Sequence, residues 1–154
     1  MIALLQRVKS ASVMVSKKTI SNIGLGVLVL LGVKEDDTQE DIDYLVNKIS
    51  SLKIFPKEER HFALSIKEQN AEILLVSQFT LYGNFKKGSK PSFTNAMNGP
   101  DAKNLYLEFG RKLDEKGFNI SYGEFGAYMQ IEMVNDGPVS LILTSDHLKD
   151  KNKI

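Results

Sequence analysis

Cysteine and tryptophan are absent from these 154 residues, and histidine occurs twice, as His61 and His147. Without cysteine there can be no disulfide, no thiolate metal ligand and no thiol nucleophile. That absence suits a reducing compartment, and a cytoplasmic setting is the expectation. Two histidines far apart in the chain form neither a histidine-rich cluster nor an H-E-x-x-H helix, so no resident metal or other cofactor is expected. Long apolar runs are missing too. The longest, Val27 to Val33, has the length of a strand and falls well short of the ~20 residues of a membrane helix, so no membrane partner is expected. The opening MIALLQRVKS places its apolar residues before its charges, the reverse of a secretory leader. Nor does charge of one sign prevail: 20 Lys and Arg against 19 Asp and Glu leave +1 at pH 7. Such a chain has no global field for nucleic acid; RNA would need a local basic patch, and no DNA partner is expected.

What is present suits a single globular domain, taken as residues 1–145 with a disordered polar tail over 146–154. Hydrophobic residues make up 42% and charged residues 25%, ordinary proportions for one core. The pattern predicts strands at Met1–Val8, Ser10–Ser16 and Gly24–Val33. A helix should follow, capped by Asp37 or Thr38, with Ile42, Leu45, Val46, Ile49 and Leu52 on its apolar face. The segment Lys57–Asn70, which holds His61, reads as mostly loop. A second helix begins at Pro100, buries Ala102, Leu105, Tyr106, Phe109 and Leu113, and stops at Gly117. Strands at Phe118–Tyr122, Ala127–Met133 and Val139–Thr144 complete the order, the last two joined by a turn through Asn135–Gly137. Many strands and two helices predict an α+β domain with a largely antiparallel or mixed sheet.

The remaining elements are organised around AEILLVSQFTLYG, residues 71–83. Ile73–Val76 is a continuous apolar run of the length of a strand buried on both faces. Ser77, Gln78 and Thr80 then bring two hydroxyls and an amide to its end, with Phe79 among them. These groups either satisfy the backbone near a turn or face a ligand at the mouth of a cleft. A nucleophilic Thr80 would need an adjacent base, and its sequence neighbours supply none. The inventory therefore favours a reaction that asks little acid–base help of the protein, such as hydrolysis of a labile ester with its own neighbouring hydroxyl. After the strand, Lys86, Lys87 and Lys90 alternate with Phe85 and Phe93. That loop can contact phosphates and stack on a base, or can be a solvated loop with Phe93 as its anchor. Gly137-Pro138 taken alone reads as an ordinary trans step in a hairpin turn, although it is a pair for which the cis form is cheap. Arg7 reads as a solvated charge at a strand end.

SQFTLYG (77–83), KGSKPSF (87–93), FGAYM (125–129) and NDGPVS (135–140), with the opening MIALLQRVKSASV, the LVLLGV strand and the DDT before the first helix, resemble the D-aminoacyl-tRNA deacylase (D-Tyr-tRNA deacylase) family. The resemblance covers the chain to about Thr144. It implies a homodimer with a barrel-like core and two flanking helices, hydrolysing the ester of D-aminoacyl-tRNA, or of glycine mischarged onto tRNA-Ala, with no cofactor. It implies a cis Gly137-Pro138 that enters the partner's site as a chiral gate, with Arg7 fixing its orientation. Phe79 and Thr80, completed by Ser77 and Gln78, would line the aminoacyl pocket; Phe125 and Met129 would hold the terminal adenine, near Phe93. Lys86, Lys87 and Lys90 would meet the tRNA. Lys90 stands where the family usually has arginine, Ser140 where it has threonine and Tyr128 where it has aspartate. The segment 60–65 lacks the usual G-K-M-N pattern. Other readings are a non-catalytic RNA-binding relative and a small-ester hydrolase that depends on Thr80.

Overall fold

Two neighbouring strands are buried on both faces, and the other elements are arranged about them. In the computed structural model, which describes residues 1–86 and 88–150, β3 (Gly26–Gly32) runs parallel to β6 (Glu72–Ser77), from Gly26 opposite Glu72 to Leu31 opposite Ser77. Val27, Val29, Leu31, Ile73 and Leu75 point into the larger core, while Leu28, Leu74 and Val76 point into a smaller one on the other face. With both faces covered, neither strand needs polar residues, hence the unbroken apolar runs.

The larger core lies beneath α1 (Gln39–Ser51) and α2 (Gly99–Glu115). Ile42, Leu45 and Ile49 of α1 and Tyr106, Phe109 and Leu113 of α2 are fully buried there, one stripe per helix. Thr38 caps α1 in a capping box with Asp41, whose Oδ2 accepts from the Thr38 N–H at 2.8 Å. Asp37, the other candidate cap, instead accepts from the Met1 amino group and from the Lys34 N–H, each at 2.6 Å. Past α2, Gly117 takes φ +85°, the left-handed stop expected of it.

The spine of the sheet is β1 (Ile2–Val15). On one edge it pairs antiparallel with β3 over Ile2–Val8 and with β2 (Lys18–Ile23) over Ala11–Val15; along the other it pairs with β8 (Met129–Thr144). Val8, Ala11 and Val13 of β1, with Met129 and Ile131 of β8, close over the smaller core. The short β7 (Ile120–Tyr122) adds parallel to β6. The result is the expected α+β architecture: a nearly closed, barrel-like mixed sheet with two helices packed outside.

Several boundaries differ from expectation. The strands expected at Met1–Val8 and Ser10–Ser16 are one strand, because the exposed Lys9 and Ser10 mark the place where β1 changes partner from β3 to β2, not a turn. Lys57–Asn70 is not mostly loop: β5 (Arg60–Ser65) forms a hairpin with β4 (Lys53–Lys57), and His61 lies in it. β6 ends at Ser77, and Phe79–Tyr82 wind into a 3-10 turn. Within the tail expected over 146–154, His147–Asp150 form a helical turn, α3, with the His147 ring edge-on to Tyr44 at 4.6 Å. Residues 151–154 and Lys87 lie outside the described residues.

Candidate active site

Where β6 ends, the sheet opens into a cavity of about 190 Å³ lined by Leu31, Ser77, Gln78, Phe79, Met97 and Phe125 together with the start of α2. Each wall has a local cause. The Gln78 N–H donates to the Leu31 carbonyl at 2.8 Å, which holds the chain against β3 for one residue beyond β6. The Met97 N–H does the same to the Val33 carbonyl at 2.9 Å, so the segment before α2 forms the facing wall. Asn98, Gly99 and Ala102 bring the first turn of α2 to the rim. Phe125 rests on Tyr106, ring centroids 5.6 Å apart, and Tyr106 in turn donates its buried hydroxyl to the Leu75 carbonyl at 2.8 Å. Burial pushes the Tyr106 phenol well up from its ordinary value, so it serves as a neutral donor.

Ser77, Gln78, Phe79 and Phe125 thus meet in one cavity. Phe79 remains 53% exposed although its ring is set edge-on to Phe93, 5.1 Å away. Thr80 stands outside the lining, and its hydroxyl accepts a short hydrogen bond from the Gln78 side-chain amide. Among the described residues, no histidine, lysine or carboxylate bonds to that hydroxyl. Met129 is elsewhere, packed on the smaller core with its Sδ against Gly123. Met97, Asn98, Gly99, Ala102 and Gly126 also line the cavity, though the sequence names none of them as a site residue: Ala102 reads only as part of the buried face of the second helix.

The lysine loop is a small hairpin closed by two hydrogen bonds between the main chains of Asn84 and Ser92, at 2.8 and 3.0 Å. Lys86 and Lys90 are exposed on it, and Phe85 is exposed beside them. Tyr82, at the end of the 3-10 turn, has its phenol raised far above the usual range by burial and then by the carboxylates Asp37 and Asp146.

Gly137-Pro138 is a cis peptide, and it lies within β8 instead of in a hairpin turn. Gln6 of β1 pairs with Ser140 and Val8 with Asn135, so the single residue Arg7 stands opposite four, 136–139. The dipeptide bulges out of the sheet and is exposed. Arg7 is no solvated charge: it is 8% exposed, because it fills the space behind the bulge. Its Nη1 donates to the Ile54 carbonyl at 2.6 Å and its Nε to the Asp136 carbonyl at 3.0 Å, with the Asp136 carboxylate 3.3 Å away. Among the described residues, neither Gly137 nor Pro138 lines the cavity of its own chain.

Among the described residues, no group of three histidine, cysteine, aspartate or glutamate side chains is placed to hold a metal ion, and no helix is long and apolar enough to cross a membrane. Comparison with known proteins gives a consistent result. The profile of the family described as D-Tyr-tRNA(Tyr) deacylase matches residues 4–144. A D-aminoacyl-tRNA deacylase of Thermotoga petrophila is 47% identical over 146 residues, 95% of this chain and 98% of the relative. One of Drosophila melanogaster is 45% identical over 153 residues, 98% of this chain and 96% of the relative. A solved structure described as c-Myc DNA Unwinding Element Binding Protein superposes with a TM-score of 0.88 at 43% identity, covering 94% of this chain and 99% of that one. With a match running from β1 to the end of β8 and relatives this similar over nearly their whole length, the chain belongs to the D-Tyr-tRNA(Tyr) deacylase family.

Proposed function

We propose that the protein is a homodimeric D-aminoacyl-tRNA deacylase, which hydrolyses the ester between a D-amino acid, or glycine mischarged onto tRNA-Ala, and the terminal adenosine of tRNA. The cavity at the end of β6 takes the aminoacyl group and the adenosine, with Phe79 and Phe125 as its aromatic walls. Lys86, Lys87 and Lys90 hold phosphates of the acceptor strand. The Gly137-Pro138 bulge of the partner enters the cavity and fills the space that an L side chain would need, so selection works by exclusion. Two features support a second copy as the source of that gate. The bulge lies outside its own chain's cavity, and exposed Met133, Val134 and Ile142 flank it with apolar surface suited to burial between subunits.

One observation carries the chemistry: the Thr80 hydroxyl is partnered by the Gln78 amide and, among the described residues, by no base. Water adds to the ester carbonyl, the C–O bond to the ribose breaks, and the departing ribose oxygen takes up a proton. The neighbouring ribose hydroxyl of the substrate assists these proton movements. The N–H groups of Phe79 and Thr80 stand at the start of the 3-10 turn, where no carbonyl within the turn reaches them. They supply oxyanion stabilisation of the kind that costs no reorganisation during the reaction.

Release of tyrosine from D-Tyr-tRNA and L-Tyr-tRNA, with a chelator present, tests this reading. Rapid release from the D ester alone is expected. Thr80→Val should keep its rate within about tenfold of wild type, whereas loss of a true nucleophile costs about 10⁴-fold or more. No release from either ester, with tRNA still bound, would leave a binding protein.

A further inference from the structure

An ordinary β-bulge adds one residue to one strand, whereas β8 adds three between its pairings with Gln6 and Val8. An interruption of that size leaves ladder groups without strand partners, and each must be satisfied in another way. At one end of the bulge, the Arg7 guanidinium takes the Asp136 carbonyl. At the other, the Asn135 side chain reaches across the neck: its Oδ1 accepts from the Val139 N–H at 3.1 Å. The Asn135 amide is itself oriented, because its Nδ2 donates to the Ser140 Oγ at 3.1 Å. The same hydroxyl accepts from the Gln6 Nε2 on β1 at 3.2 Å. Asn135 therefore ties the residue before the bulge to the residue after it, and Gln6 ties that clasp to the spine of the sheet. Gly137 and Pro138 are suspended between Arg7 and Asn135.

We infer that Asn135, oriented by Ser140 and Gln6, is a positioning residue that sets where Gly137-Pro138 stands, and through it the discrimination between D and L esters. The inference rests on the gate reading above. The ladder holds the feet of the arch at Asn135 and Ser140; between them Arg7 fixes the Asp136 carbonyl, and the Val139 N–H bond is the second fixed point. An amide suits the position because it accepts from Val139 and donates to Ser140 at once. Aspartate keeps the acceptor for Val139, and the Ser140 hydroxyl can turn to donate to it while its oxygen still accepts from Gln6.

The experiment compares release rates from D-Tyr-tRNA and L-Tyr-tRNA for wild type, Asn135→Ala, Asn135→Asp, Ser140→Ala and Gln6→Ala, with thermal unfolding recorded for each. Asn135→Ala should lower the D-to-L rate ratio about tenfold, the worth of one hydrogen bond of about 1.4 kcal/mol. Asn135→Asp should recover part of that ratio, a rescue that a general loss of stability would not produce. If Asn135→Ala does not fold, Ser140→Ala and Gln6→Ala replace it, each lowering the ratio about threefold through the loosened amide. A selective wild type beside a folded Asn135→Ala of unchanged ratio overturns the inference alone. A wild type that releases both amino acids equally overturns the gate, and the inference with it.

Discussion

The cavity at the end of β6 and the bulge of β8 occupy the same fold but are built by opposite means. The cavity is shaped by continued pairing. Gln78 and Met97 extend the hydrogen bonding of β3 past the end of the strands, and the larger core supports Phe125 through Tyr106. The bulge arises where pairing stops, and side chains take the place of the ladder: Arg7 at one end, Asn135 at the other. A receptacle can rest on a core that would be packed in any case. A projecting bulge has no core beneath it and depends on a few polar contacts with specific geometry. Substitutions behind the cavity should therefore cost stability and leave selectivity alone, whereas substitutions behind the bulge should affect both.

Arg7→Ala should have the largest effect. It removes a buried charge and leaves the Ile54 carbonyl without this donor, at a cost of about 3 kcal/mol. Denaturant unfolding reads that loss, and the D-to-L rate ratio should fall with it. Arg7→Lys should restore little, since one ammonium cannot reproduce the two directions of the guanidinium. On the cavity side, Tyr106→Phe should cost about 1 kcal/mol. The Leu75 carbonyl still accepts from the Gly123 N–H at 2.9 Å, so no acceptor is orphaned, and the ratio should stay at the wild-type value. A Tyr106→Phe enzyme with lost selectivity would break the comparison.

The doubly buried β6 and the apolar stripes of α1 and α2 were legible in the sequence because composition there is set by burial, and the Gly117 stop because its left-handed backbone favours glycine. The bulge was not. Asn135, Asp136, Gly137 and Pro138 are the residues of a tight turn, and local chemistry cannot distinguish a turn from an arch held by Arg7, more than a hundred residues earlier in the chain. For the same reason Arg7 read as a solvated charge: its burial depends on Ile54 and Asp136, both distant in sequence. β5 was missed because its first three residues are exposed and carry no alternation. Half of the cavity was visible in the polar turn of residues 77–80. The other half, Met97 to Ala102, looks like any helix start until the Met97 N–H is seen on Val33. The family resemblance implied the cis Gly137-Pro138 step where periodicity could not; the bulge that carries it was not foreseen.

The most direct test of a site shared between subunits uses two variants in one dimer. Gly137 has φ +129°, and an added Cβ would lie 2.8 Å from the Val139 Cγ2 and 3.0 Å from the Arg7 Nη2, so Gly137→Ala should displace the bulge and, on the proposed gating, admit L-Tyr-tRNA. Phe79→Ala should disable the cavity while leaving the bulge native. Gly137→Ala subunits are assembled with an excess of Phe79→Ala subunits, and L-Tyr-tRNA hydrolysis is measured per Gly137→Ala chain. If the bulge of one subunit gates the cavity of the other, that hydrolysis falls to the wild-type level while D-Tyr-tRNA is still cleaved. Hydrolysis of the L ester that is unchanged by the excess partner would contradict the account.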